Sequence, residues 1–215
     1  MLIIFEGGEG VGKSTQINLL NKALLDNKLP IVKTREPGGT PFAEKIRTLF
    51  KEKTDDSPTS LTELYLICAA RAQHLEKFIT PMLSLKKIIL CDRFLDSTYV
   101  YQHILGGVPK QLIDNFTHPI LQGLLPDLTF IFHCDKNIAL NRIKSEENRS
   151  CDRLDSYDVH MHKTILNGYK KIFDDCLPYP CGKVPKRVLI DASVSVDAVF
   201  TQIKSAFHKY LGVEL

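Results

Sequence analysis

Residues 2–16 of this chain are LIIFEGGEGVGKSTQ, and this stretch decides the fold. Leu2 to Phe5 form an apolar run that is typical of a buried strand. The glycine-rich loop that follows matches G-x-x-x-x-G-K-[S/T], a pattern whose backbone N–H groups bind phosphate oxygens. An amphipathic helix is predicted from Ser14 onward. Strand, loop and helix in this order predict a phosphate site, with Lys13 on the outer phosphates and Ser14 on Mg²⁺.

Apolar strands alternate with helical patterns along the rest of the 215 residues. Further strands are predicted at about 30–34, 87–92, 128–134 and 187–191. Helices are predicted at about 14–27, 41–51, 61–80, 97–102, 157–176 and 196–211, with the third ending before Pro81. This alternation is typical of a parallel sheet that helices cover on both faces. We therefore predict one α/β domain over residues 1–215, with about five parallel strands.

Composition limits the classes of protein that fit. Hydrophobic residues make up 44% of the chain, which suits one domain with a full core. The formal charge of +3 does not demand a nucleic-acid partner, because arginines around phosphate ligands explain it equally well. The six cysteines form no C-x-x-C pair, and the sequence predicts neither a secretory leader nor a membrane-spanning segment. A reduced, cytoplasmic protein without a membrane partner is expected.

Several charged residues lie where ligands bind in such folds. Asp92 ends a predicted strand and suits a metal-directed carboxylate, while the adjacent Arg93 suits a phosphate. Alternatively, these two side chains pair with each other and cap the next helix. A rival acid, Asp135, better suits the N-cap of the helix that follows it. Arg71 interrupts an apolar helix face, so it faces a ligand or a carboxylate, or else extends its charge to the surface.

Residues 144–156 form a charged stretch without glycine and without an apolar face. A solvated loop is one interpretation of this stretch. Counted with Arg142, however, it provides two further arginines, Arg149 and Arg153. A lid that closes over transferring phosphates needs such residues. We therefore predict a short lid at about 144–156.

A set of motifs in this order resembles the thymidylate kinase (dTMP kinase) family: FEGGEGVGKSTQ, TREPGGT, AEKIRTLF, AARAQH, DRFLDSTYVYQ, PDLTFIF and VLIDAS. The resemblance covers nearly the whole chain. The phosphate loop alone is shared by many NTPases, whereas TREPGGT together with DR-x-x-x-ST-x-x-YQ is specific to far fewer families. It implies a three-layer P-loop nucleoside-monophosphate kinase fold, normally a homodimer. The implied reaction is transfer of the γ-phosphoryl group of Mg·ATP to dTMP.

The resemblance also implies roles for the matching residues. ATP would be bound by Gly7, Gly8, Glu9, Gly10, Val11, Gly12, Lys13, Ser14, Thr15, Arg142, Asp191 and Ala192. Around the acceptor phosphate, the matching residues are Arg35, Pro37, Arg47 and Arg93. Around thymine, they are Ile67, Arg71, Thr98 and Gln102. Glu9 would lie near the sugar 3′-hydroxyl, and Tyr101 would exclude a ribose 2′-hydroxyl. Lys13, Arg93 and Arg149 would have catalytic roles, and Ser14 and Asp92 would bind Mg²⁺.

The loop position after Glu9 indicates whether the phosphate loop or the lid supplies an arginine. Family members with an arginine in the phosphate loop have little need of one in the lid. Here that position is Gly10, so the lid is expected to supply the arginine. Arg149 is the first choice, with Arg142 or Arg153 in reserve.

Ile67 is a departure from the family pattern, which usually has phenylalanine stacked on thymine here. The loss of stacking is worth about 1 kcal/mol. Phe42 and Tyr65 are the candidate replacements. Elsewhere in the substrate turn, we expect the Glu36–Pro37 peptide bond to be cis, because the chain must turn sharply before two glycines.

Two other functions stay open. One is another small P-loop kinase that acts on a different nucleotide or on a nucleoside. A nucleoside kinase would need a carboxylate base, for which Glu6 and Glu36 are candidates. A P-loop ATPase switch is the other, and it would need a water-orienting residue and a switch loop.

Overall fold

A parallel sheet forms the centre of the protein. The computed structural model describes residues 1–52, 55–145 and 158–213. Within these ranges the strands are β1 (Leu2–Gly7), β2 (Ile31–Arg35), β3 (Ile88–Asp92), β4 (Leu128–His133) and β5 (Arg187–Asp191). They form one five-stranded parallel sheet in the order β2-β3-β1-β4-β5. The predicted α/β fold with five parallel strands is confirmed.

Helices cover both faces of the sheet. They are α1 (Lys13–Asp26), α2 (Pro41–Lys51), α3 (Ser60–His74), α4 (Thr80–Ser84), α5 (Leu95–Thr98), α6 (Lys110–Leu121), α7 (Lys136–Ser145), α8 (Val159–Asp174) and α9 (Val196–Leu211). Alternate β1 side chains enter different cores. Leu2 and Ile4 pack in the core that includes residues of α3 and α8, while Ile3 and Phe5 pack with α1 and α9. This two-sided burial explains why the strand is apolar from Leu2 to Phe5.

The helix predicted over 61–80 continues past its expected end. α3 passes directly into a π-helical segment, Leu75–Ile79, and then into α4, which holds Pro81 in its first turn. A proline inside an α-helix lacks the N–H for the i−4 carbonyl and clashes with it. The π turn shifts the hydrogen-bond pairing at this point, so the α-helical bond that proline forbids is not required. The prediction that the helix ends before Pro81 is wrong.

β1 is the strand at which the sheet order reverses. β2 and β3 lie on one side of it, and β4 and β5 lie on the other. In open α/β sheets, ligands bind beyond the carboxyl ends of the strands at such a point. The loop over residues 7–12 and Asp92 both lie at this edge, with Phe5 in register with Asp92. The nearby Glu36–Pro37 peptide bond is cis, as predicted.

Two further findings concern the described residues as a whole. None of their helices is both long and apolar enough to cross a membrane. Their five cysteines are free thiols: Cys68, Cys91, Cys134, Cys176 and Cys181.

A buried ion pair joins β5 to α5. Arg187 Nε and Nη2 donate to Asp96 Oδ2 and Oδ1, each at 2.8 Å. The two side chains are only 3% and 0% exposed. Removing one member of such a pair leaves a buried charge without compensation, which is far more destabilising than the pair is stabilising.

Asp96→Ala is therefore expected to lower the free energy of unfolding by about 3–5 kcal/mol, measured by urea denaturation. Asp174→Ala is the matched control, because it breaks an exposed ion pair with Lys170. That control should cost less than about 1 kcal/mol. Equal losses in the two variants would contradict the assignment.

Candidate active site

The phosphate-binding loop is pressed against β4 and α7. A Cβ added at Gly7 would lie 2.8 Å from Phe132 O, and one at Gly10 would lie 2.3 Å from Ala139 O. Gly10 also has φ +73°, a left-handed conformation that favours glycine. An arginine at this position would require α7 to move. The packing therefore supports the expectation that any additional arginine comes from outside the loop.

Lys13 begins α1 and points back into the loop. Its Nζ donates to Gly7 O at 3.0 Å and to Gly8 O at 2.7 Å. Burial, followed by the nearby Arg93 guanidinium, lowers the pKa of Lys13. Two cations therefore lie close together at the loop, and an anion bound between them would relieve their repulsion.

Asp92 ends β3 beside the loop. Its Oδ1 is buried, and no residue in the described ranges makes a hydrogen bond to it. Ser14 lines the same cavity. Oxygen donors of these two types suit a hard divalent cation such as Mg²⁺.

Arg93 turns away from its neighbour Asp92. It adopts φ +68°, and its Nη2 donates to Glu9 Oε1 at 2.5 Å. Its Nη1 donates to Gly7 O at 3.0 Å. The alternative in which Asp92 and Arg93 form a mutual ion pair is therefore wrong. Glu9, inside the loop, is the acid that pairs with Arg93.

Two cavities meet at this loop. The one on the α7 side measures about 460 Å³. It is lined by residues expected to bind ATP, among them Gly10, Val11, Gly12, Thr15, Arg142 and Ala192. The one on the α2–α3 side measures about 260 Å³. It is lined by every residue expected at the acceptor: Glu9, Arg35, Pro37, Arg47, Ile67, Arg71, Arg93, Thr98, Tyr101 and Gln102. Both cavities include Glu9, Lys13 and Ser14.

Not every residue expected on the ATP side lines the larger cavity. Gly7, Gly8 and Asp191 do not line it, and Asp191 instead accepts hydrogen bonds from the Ser193 backbone and hydroxyl. Arg142 does line it, and its Nη1 donates to Ala192 O at 2.9 Å, which joins α7 to the turn after β5. Arg149 and Arg153 lie outside the described residues, so the choice of lid arginine stays a prediction.

Three arginines crowd one end of the smaller cavity. Arg47 Nη1 donates to Pro37 O at 2.9 Å. Arg35 donates to both carboxylate oxygens of Glu44, at 3.2 and 2.8 Å. Burial, followed by the charges of Arg35 and Arg93, lowers the pKa of Arg47. Such a cluster of cations fits a phosphate group.

Arg71 lies at the other end of this cavity and is only 1% exposed. Its Nε donates to Glu36 Oε2 at 2.7 Å, and its Nη2 donates to Phe94 O and Thr98 Oγ1 at 3.1 and 3.0 Å. The alternative that Arg71 extends to the surface is wrong. Although burial opposes it, the charges of Arg71 and His74 hold the pKa of Glu36 below its ordinary value. Arg71 Nη1 is buried without a partner among the described residues.

The apolar wall of this cavity differs from expectation. Phe42 and Tyr65 are 58% and 51% exposed and do not line it, so neither replaces the missing aromatic ring. Phe50 and Phe94 are the phenylalanines that line this cavity together with Ile67. A sequence signal for Phe50 exists, because it follows the α2 arginine by three residues and so shares its helix face.

A comparison with known families decides the assignment. The family model described as thymidylate kinase matches residues 5–203. This chain belongs to the thymidylate kinase family. A thymidylate kinase of Acholeplasma laidlawii is 37% identical over 98% of the chain and 100% of the relative. One of Finegoldia magna is 38% identical over 94% and 95%.

A solved structure supports the same family at the level of the fold. The crystal structure of thymidylate kinase from Ehrlichia chaffeensis superposes with a TM-score of 0.73 at 30% identity. The match covers 96% of this chain and 98% of the other. The thymidylate kinase family membership therefore extends over both halves of the sheet.

The structure also shows a buried acid behind the site whose contacts the sequence does not reveal. Glu6 Oε1 accepts from Phe94 N and Ser97 N at 2.8 and 3.1 Å, and its Oε2 accepts from Ser97 Oγ at 2.5 Å. Burial, followed by the charge of Asp96, raises the pKa of Glu6 to about 7. Glu6 thus anchors the segment after β3 in this thymidylate kinase family member.

This raised pKa predicts how stability depends on pH. The folded protein binds the Glu6 proton more tightly than the unfolded chain, whose value is near 4.5. The contribution of Glu6 to the free energy of unfolding is therefore fully present below about pH 4.5 and is lost as the pH rises through about 7. We expect urea denaturation to show a decline of about 2 kcal/mol from pH 5.5 to 8 that Glu6→Gln lacks. The same pH dependence in both proteins would refute this origin.

Proposed function

We propose that this chain transfers the γ-phosphoryl group of ATP to dTMP and so forms dTDP, a step towards dTTP. The observation on which this rests is the meeting of the two cavities at Glu9, Lys13 and Ser14. A donor nucleotide on the α7 side and an acceptor on the α2–α3 side would bring their phosphates together at the loop. Catalysis by such positioning is what phosphoryl transfer requires.

The polar groups at the far end of the acceptor cavity complement thymine. Thymine presents carbonyl oxygens and one ring N–H. Arg71 Nη1 is a buried donor without a partner among the described residues, and Gln102 Oε1 is a buried acceptor in the same condition. Gln102 Nε2 donates to Glu63 Oε2 at 2.8 Å, which fixes the orientation of the amide. Thr98 and Ile67 would complete the contacts with the base.

The sugar would lie between these two ends. The Tyr101 ring faces the Arg93 guanidinium at 5.3 Å and lines the cavity between the base and phosphate sites. There it would oppose a ribose 2′-hydroxyl. Glu9 would receive the 3′-hydroxyl, since it borders both cavities.

The chemistry needs charge stabilisation more than a general base, because an acceptor phosphate is already ionised at neutral pH. Lys13, Arg93 and, from the lid, Arg149 would stabilise charge on the transferring group. Mg²⁺ held by Ser14 and Asp92 would neutralise phosphate charge. Asp92 Oδ1 is buried without a hydrogen-bond partner among the described residues, which supports this metal assignment.

A nucleoside kinase fits less well. It would need a carboxylate to remove a hydroxyl proton. Both candidate bases already accept hydrogen bonds from other residues. Glu6 accepts from Phe94 N and Ser97, and Glu36 accepts from Arg71 and His74.

We also propose that the enzyme is a cytoplasmic homodimer. α3 presents Leu61 and Tyr65, which are 41% and 51% exposed. A second copy could cover this face. The free thiols fit a reducing compartment.

The test is coupled ADP release by the purified chain with Mg²⁺ and ATP, first alone and then with dTMP, dUMP, thymidine or other monophosphates. We expect release that depends on dTMP. Release without an acceptor would indicate an ATPase, and release that prefers thymidine would indicate a nucleoside kinase. Either result would overturn the proposal.

Lys13→Ala and Arg93→Ala should each lower kcat by about 10²-fold or more, because each removes a charge from the transferring phosphates. Lys170→Ala, on the exposed face of α8, is the control and should keep normal turnover. Near-normal kcat in either site variant, with unchanged circular dichroism, would remove that residue from the catalytic set.

A further inference from the structure

A chain of hydrogen bonds runs behind Arg93 and ends on α8. Tyr169 OH accepts from Arg93 Nη1 at 2.9 Å and lies 2.7 Å from Ser97 Oγ. Ser97 Oγ in turn donates to Glu6 Oε2 at 2.5 Å. Tyr169 is fully buried and lines neither cavity. No motif of the resemblance assigns it a role.

The number of hydrogens determines the direction of this chain. Each hydroxyl has a single hydrogen. When Glu6 is ionised, the Ser97 hydrogen goes to its carboxylate, so the Tyr169 O–H donates to Ser97 Oγ. The Tyr169 oxygen then has only lone pairs to offer on its remaining side, and these face the Arg93 guanidinium. Each bond in the chain therefore supports the next.

Arg93 depends on acceptors from other parts of the chain. Its Nη1 has two hydrogens, and three oxygens lie around it: Tyr169 OH at 2.9 Å, Gly7 O at 3.0 Å and Ser97 Oγ at 3.3 Å. Tyr169 provides the shortest of these contacts. Because Glu9 holds Nη2 on the other side, the phenol and the carboxylate together fix the plane of the guanidinium.

We propose that Tyr169 is a positioning residue for phosphoryl transfer: its hydroxyl orients the Arg93 guanidinium. The proposal rests on the function proposed above. It gives α8 a part in the reaction although Tyr169 touches neither substrate cavity.

Steady-state kinetics of Tyr169→Phe tests the proposal. This change removes one oxygen and keeps the ring. We expect kcat to fall by about 10- to 100-fold, because a hydrogen bond to a charged group is lost, while KM for ATP and dTMP changes by less than about threefold. Tyr99→Phe is the matched control, since Tyr99 is equally buried, donates to Asp114 at 2.7 Å and lines neither cavity. It should keep normal kcat.

A second measurement does not depend on turnover. NMR of the arginine side chains, with Arg93→Lys to assign the signals, should show separate Nη hydrogens for Arg93 in the wild type and averaged ones in Tyr169→Phe. If the wild type does not phosphorylate dTMP, the proposed function fails and the NMR result still decides the orientation of Arg93. Ser97→Ala removes the next link and should give the same averaging, which covers the case in which Tyr169→Phe does not fold.

Three outcomes would overturn the proposal. One is a kcat within about twofold of wild type in a folded Tyr169→Phe variant whose parent is active. A second is an Arg93 spectrum unchanged by both Tyr169→Phe and Ser97→Ala. An equal loss of kcat in Tyr99→Phe would also contradict it, because that loss would reflect core packing rather than the Arg93 contact.

Discussion

The need to hold like charges together governs this site. Guanidinium groups that converge on one small cavity repel one another, and each must be held from behind. Arg71 is held by Glu36, Arg93 by Glu9, and Arg35 by Glu44. Burying a carboxylate is unfavourable unless it is paired and hydrogen-bonded. The buried Glu36 therefore lies opposite Arg71, whose Nη1 has no hydrogen-bond partner among the described residues and is left for a ligand.

Much of this arrangement can be predicted because local rules dominate it. The apolar strands, the phosphate loop and some helix boundaries follow from periodicity and from glycine and proline positions. α2, β5 and α9 begin and end where the pattern predicts. The residues expected at the acceptor line one cavity, and Arg35 and Arg93 reach it from the carboxyl ends of two neighbouring parallel strands.

The rest depends on contacts between residues that are distant in the sequence. Ser97 and Tyr169 are separated by 72 residues, and Ser97 and Glu6 by 91. No periodicity indicates such a pairing. The choice of Glu9 rather than Asp92 as the partner of Arg93 depends on backbone torsion, which residue type does not specify. The rule that proline ends a helix holds only for regular α-helices, and the π turn before Pro81 is an exception to it.

The left-handed backbone at Arg93 has an energetic consequence. Any side chain there makes the backbone less stable than glycine would, by about 1 kcal/mol. The Arg93 guanidinium, however, pairs with Glu9 and donates to Gly7 O and Tyr169 OH, contacts that glycine would lose. Backbone strain at a single residue is therefore offset by side-chain contacts with parts of the chain that are distant in sequence.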